Sequence, residues 1–167
     1  ISFGTPVVFE TSSAKHFSPT FDSDNNKVVI AYTDAGNSDY GTSVVGTVSG
    51  TSISFGTPVV FVDAAVEHVG ATFDSDSNVV VIAYSDDGNS DYGTAIEGTV
   101  SGTAISYGAA LVFEAARSDY TTATFDSNSN KVVIAYQDDG NSEHGTGIVY
   151  STSSTNLTAS NLLGIAS

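Results

Sequence analysis

Three stretches of this chain hold residues whose types and spacing could do chemistry. Asp34-Ala35-Gly36-Asn37-Ser38-Asp39-Tyr40-Gly41 recurs as Asp86 to Gly93 (DDGNSDYG) and as Asp138 to Gly145 (DDGNSEHG). Each copy keeps an acid, Gly, Asn, Ser, a second acid and Gly at fixed spacing. Hard cations take clustered carboxylate, amide and carbonyl oxygens, which makes Asp34, Asp39, Asp86, Asp91, Asp138 and Glu143 candidate calcium ligands. The spacing is not that of an EF-hand, which needs Gly at loop position 6 and a distal Glu. The same residues also make a structural turn, with Gly at positive φ and Asp and Asn bonding their own backbone.

A second set of candidates lies beside these loops. His16 and His68 occupy equivalent positions, with Tyr120 as the third; Tyr40, Tyr92 and His144 form another such set. Rings beside Asn37, Asn89 and Asn141 are candidate sugar-binding groups: a stacking face with amide and carboxylate partners. The competing expectation is that the rings pack between units. The histidines make a poor zinc site, because tetrahedral zinc needs three or four converging ligands.

Catalysis is not expected. A glycosidase needs two carboxylates in opposed environments, whereas the acids here recur in all three copies. The Ser-rich stretches contain no nucleophile elbow. The other acidic loop, Asp22-Ser23-Asp24-Asn25-Asn26, recurs at 74–78 and 126–130 and reads as a hairpin turn. Its acids also flank the VVIAY run as gatekeepers against pairing between molecules.

These loops sit within an ungapped repeat of 52 residues. Ile1, Ile53 and Ile105 coincide, as do Asp22, Asp74 and Asp126, and Gly36, Gly88 and Gly140. The units are 1–52, 53–104 and 105–154, and 155–167 departs from the pattern as a tail or the start of a following module. Four strands per unit are expected. One ends at TFD; the others are Lys27 to Thr33, Thr42 to Ser49, and Ile53 to Phe61 with its counterpart Ile1 to Phe9. Pro6 and Pro58 suit an edge strand. No window has a helical period.

Four antiparallel strands in a unit of this length suit a β-propeller blade. VVIAY supports it, because a continuous apolar run wants cover on both faces. The expected fold is therefore all-β, with three propeller-type blades per chain. Three blades cannot close, so a six-bladed ring by dimerisation, or further repeats, is expected. A β-trefoil is the alternative, and a β-solenoid ranks third. The segments 10–19, 62–71 and 114–123 vary most between units and are expected as loops on the face of the acidic turns, a plausible recognition surface.

Composition narrows the classes. Hydrophobic residues make up 40% and charged residues 14%, too apolar for a disordered chain. There is no Cys, which removes disulfides and thiolate chemistry. Met is absent even at position 1, which reads as a processed chain or a window of a longer one, with no signal peptide remaining. No apolar run approaches the ~18 residues of a membrane helix. A net charge of -15 disfavours nucleic acid and anionic membranes as partners. It leaves cations, cationic partners and neutral polar ligands such as glycans; a saline habitat would also favour such acidity. Asn156-Leu157-Thr158 matches an N-glycosylation acceptor.

Units ending YGTSVVGTVSGTSISFGTPVVF, with TFDSDNNKVVIAY before them, resemble repeat arrays of environmental bacterial and phage-borne surface proteins, including tail-fibre-like ones. STNLTASNLLGIA resembles the start of the module that follows such arrays. The resemblance implies an extracellular or virion-surface structural or adhesive role and supplies no catalytic residues. The sialidase Asp-box, which needs Trp, the kelch double Gly and the WD40 Trp-Asp pair are absent. The expected function is a non-enzymatic surface module. A multivalent lectin with one site per repeat, or a calcium-stabilised repeat without ligand, are the other readings.

Overall fold

The computed structural model describes residues 2–152. They are all-β, with eleven strands: β1 (Ala14–Asp22), β2 (Lys27–Asp34), β3 (Tyr40–Ser49), β4 (Ser52–Phe55), β5 (Val59–Asp74), β6 (Val79–Asp86), β7 (Tyr92–Ser101), β8 (Ala104–Tyr107), β9 (Leu111–Asp126), β10 (Lys131–Asp138) and β11 (His144–Tyr150). Single 3₁₀ turns at Ala35–Asn37, Asp87–Asn89 and Asp139–Asn141 are the helical pieces among the described residues. The antiparallel pairing order is β1-β2-β3-β5-β6-β7-β9-β10-β11, with β4 on β3 and β8 on β7. The sheet does not close, and β1 and β11 stand at its two ends.

The repeat appears as three units in a row. In the first, β1, β2 and β3 pair in sequence, and the outer edge of β3 takes β4 and then the leading end of β5. The trailing end of β5 pairs with β6 and begins the second unit. β9 plays the same double part between the second and third units.

This topology explains the unbroken apolar runs. Alternate residues of a strand face opposite sides of the sheet, and β6 has a unit on both sides. Val80, Ile82 and Tyr84 join Val29, Ala31 and Val45 of the first unit in one core. Val79, Val81 and Ala83 join Val132, Ile134 and Tyr136 of the third unit in another. The 8 residues of β6 are thus buried except for the half-buried Asp86. β10 carries nearly the same sequence, yet buries only alternate residues.

Rings pin the units together. Phe61, on the outer strand of the first unit, packs on Tyr84 and Tyr107 of the second with centroids 5.3 and 5.8 Å apart. Phe113 meets Tyr136 at 5.2 Å in the same way. Gly41 makes room for this contact: a Cβ there would lie 2.3 Å from the Phe61 ring.

Three expectations are corrected. Residues 2–9 form no strand, because a strand needs hydrogen-bonded pairing and no strand pairs with them among the described residues. The fourth strand is broken between Phe55 and Val59, where Pro58 offers no N–H, and its second half runs on into the next unit. Residues 62–71 and 114–123 are strand rather than loop, lying wholly within β5 and β9; in the first unit the strand begins at Ala14. The tail 155–167, with its Asn156-Leu157-Thr158 acceptor, lies outside the described residues.

Candidate functional site

Each first strand of a unit carries a break in register: between Lys15 and Ser18 in β1, between Glu67 and Gly70 in β5, and opposite Ala135 and Gln137 in β9. The extra residue of each bulge is left-handed: His16 at φ 53, His68 at φ 50 and Tyr120 at φ 52. A bulky side chain there is a true outlier. The conformation costs roughly 1–2 kcal/mol per L-residue.

The bulges set these three side chains in a row. The His16 and His68 rings stack at 5.4 Å and 27°, and His68 meets Tyr120 at 4.9 Å and 50°. Tyr120 is 71% exposed, and the two histidines are half-buried. Burial and the neighbouring His68 hold the His16 imidazole below its ordinary pKa. The His16 Nδ1 lies 3.2 Å from Thr33 Oγ1.

Charges line the row. His68 Nε2 is 3.4 Å from Asp119 and 3.8 Å from Glu67. Arg117 reaches Asp119 at 3.1 Å, Asp91 at 3.4 Å, Asp139 at 3.8 Å and Glu67 at 4.0 Å. Hydrogen bonding to Asp119 and its charge raise the guanidinium pKa further. In the first unit Lys15 pairs with Asp39 at 3.2 Å. Rings edged by carboxylates and a guanidinium can stack on a flat apolar face and exchange hydrogen bonds with hydroxyls.

The acids of the DxGNSxYG loops hold local structure. Asp34 caps its 3₁₀ turn by accepting from the Gly36 N–H at 3.0 Å. Asp86 and Asp138 occupy the same position, each with one carboxylate oxygen buried and unpartnered. Burial raises the Asp86 carboxyl pKa. Asp39, Asp91 and Glu143 are left-handed, following left-handed Ser38, Ser90 and Ser142. The Asp39 and Asp91 carbonyls accept from Val66 and Ser118 N–H, each at 3.0 Å, which ties the turn to the next first strand. Glu143 accepts from Gln137 at 3.3 Å. Among the described residues, no three His, Asp or Glu side chains are grouped so as to hold a metal ion.

The structure brings His16, His68 and Tyr120 together. It does not bring Tyr40, Tyr92 and His144 into that row; they open β3, β7 and β11, and no ring contact joins them to another ring among the described residues. Asn37, Asn89 and Asn141 close the 3₁₀ turns and are exposed. The Asp22, Asp74 and Asp126 loops are hairpin turns in which the carboxylate accepts backbone N–H groups two and three residues on. Sequence reasoning missed Arg117, the chain's one arginine, whose place three residues before Tyr120 in an acidic chain was the available signal. Comparison of the chain with known protein families, curated proteins and solved structures returns no match.

Proposed function

We propose that this chain is a non-enzymatic structural and adhesive repeat module of an extracellular or virion surface, such as a phage fibre, a capsid decoration or a bacterial surface protein. The observation that carries the reading is the row of His16, His68 and Tyr120. Strain at bulky residues is retained where function requires it, and here it recurs at one repeat position three times. The result is a linear contact surface on a rigid frame.

The units are read as propeller-type blades. Strand order within a unit is sequential, and the outer strand of one unit continues as the first strand of the next. Those first strands lie side by side: the Ala71 N–H donates to Ser18 Oγ at 2.8 Å, and Gly70 abuts the Thr122 backbone. A trefoil would return the third unit to the first, and no strand pairing joins them among the described residues.

A second reading, a multivalent lectin, is favoured by the carboxylates at the rim of the ring row. The test is a microarray of bacterial surface polysaccharides and host-type glycans, with a parallel assay for released reducing ends. Retention on a subset without release is expected. Release of reducing ends would overturn the non-enzymatic reading, and no retention anywhere would overturn the adhesive one.

A further inference from the structure

We infer that copies of this chain associate head to tail, through a contact that the molecule already makes twice within itself. Each junction between units joins a forward face to a rear face. The forward face of the first unit is Val29, Ala31 and Val45, fully buried against the second. The rear face of the second unit includes Val69 and Phe73, each 8% exposed in that same core.

The two end faces carry the same residue positions, uncovered. On the rear of the first unit, Phe17 and Phe21 correspond to Val69 and Phe73 and are each 54% exposed. On the front of the third unit, Val133, Ala135 and Val149 correspond to Val29, Ala31 and Val45. Val133 is half-buried, Ala135 is exposed and Val149 is 63% exposed. The two uncovered faces are the halves of one interface, so each is the natural partner of the other.

The backbone matches as well. β3 and β7 pair on their outer edges with the leading ends of β5 and β9, whereas the outer edge of β11 has no partner among the described residues. Residues 5–9 carry the sequence TPVVF found again at 57–61, part of which pairs with β3. Phe9 already sits on Tyr32 and Phe55, at 5.4 and 5.2 Å, as Phe61 sits on Tyr84 and Tyr107. This segment is placed like an outer strand that lacks a neighbour, beside a cavity of about 430 Å³ lined by Val7, Val8, Phe9, Ala14 and Phe17. The occupant is the β11 face of a second copy.

An unpaired edge is a template for another strand, and a head-to-tail contact closes into a ring or grows into a filament. The inference rests on the packing between units and is independent of the adhesive reading.

Sedimentation velocity tests it, on the 167-residue chain and on two variants, Phe21→Asp on the rear face and Ala135→Arg on the forward face. Both positions are exposed, and a circular-dichroism melt of each variant verifies folding. The wild type is expected to sediment at a multiple of 17.1 kDa. Each variant alone is expected as a monomer, and their equimolar mixture as a one-to-one pair, because each retains one good face. A monomeric wild type at every concentration overturns the inference. So does self-association of either variant alone, which would mean a self-complementary face.

Discussion

Replacing Tyr84 with Phe should stabilise the protein, although it deletes a hydroxyl from the middle of the core. Tyr32, Tyr84 and Tyr136 are repeat equivalents. Tyr32 donates to Glu10 Oε2 at 3.3 Å and Tyr136 to Glu114 Oε2 at 3.2 Å. The second unit has Val62 where the others have Glu, and the fully buried Tyr84 hydroxyl has no partner. Burial pushes the Tyr84 pKa up, as burial and Glu114 push Tyr136 up to about 12. An unsatisfied buried hydroxyl costs about 1–3 kcal/mol, whereas a made hydrogen bond contributes about 1. Tyr84→Phe should therefore gain about 1 kcal/mol. That gain corresponds to about 2–4 °C in a chain of this size. Tyr32→Phe and Tyr136→Phe should each lose about 1 kcal/mol. Thermal melts by far-UV circular dichroism read the sign directly. In a Val62→Glu background, which supplies the missing acceptor, the gain from Tyr84→Phe should vanish. A Tyr84→Phe variant that melts as far below wild type as Tyr32→Phe would refute the reasoning.

Further outcomes follow from the same packing. Ala83→Arg should prevent folding or cost several kcal/mol, because it forces a charge into a filled core, while Ala135→Arg at the exposed equivalent, compared with the wild type at a dilution where both are monomers, should change the unfolding free energy by less than about 0.5 kcal/mol. Chemical denaturation of the two variants makes the comparison. His16 has a folded pKa below its ordinary 6.5. Its contribution is present above that value and lost as pH falls through the folded pKa, so His16→Asn, which suits the left-handed backbone, should shrink the acid-side loss of Tm. The Asp87 carboxyl works oppositely: burial and the neighbouring Asp91 push it up to about 6, so its stabilisation is complete at low pH and lost as pH rises toward that value. Asp87→Asn should flatten the melting profile on that side.

Much of the fold was legible because it repeats. The β-branched run at 27–33 and the Asp-rich turns specify strands and hairpins locally, and those elements form where expected. The loss of strand at residues 2–9 and the fusion of Val59–Asp74 into one strand depend on which neighbour is present, and no local pattern records that. TPVVF pairs at 57–61 and lies unpaired at 5–9 with the same letters. Likewise Val29 and Val133 are the same residue in the same repeat position, one fully buried and the other not.

The site was legible in part for the same reason. The equivalence of His16, His68 and Tyr120 is visible in the alignment of units. Their meeting depends on three bulges, and nothing in the residue types signals a left-handed Tyr. The acids were read toward a cation because their spacing is regular. In the structure, the same regularity arises from a turn that must be built three times.

Tyr120→Gly, followed by both its melting temperature and its retention on surface polysaccharides, tests the central claim most directly. Gly accepts φ 52 without strain, so relief of about 1 kcal/mol offsets the lost contact with His68. The account predicts an unchanged or slightly raised Tm together with a loss of retention: strain kept for binding. A Tm several degrees lower with retention intact would contradict it, and would make the ring row part of the frame rather than the contact surface.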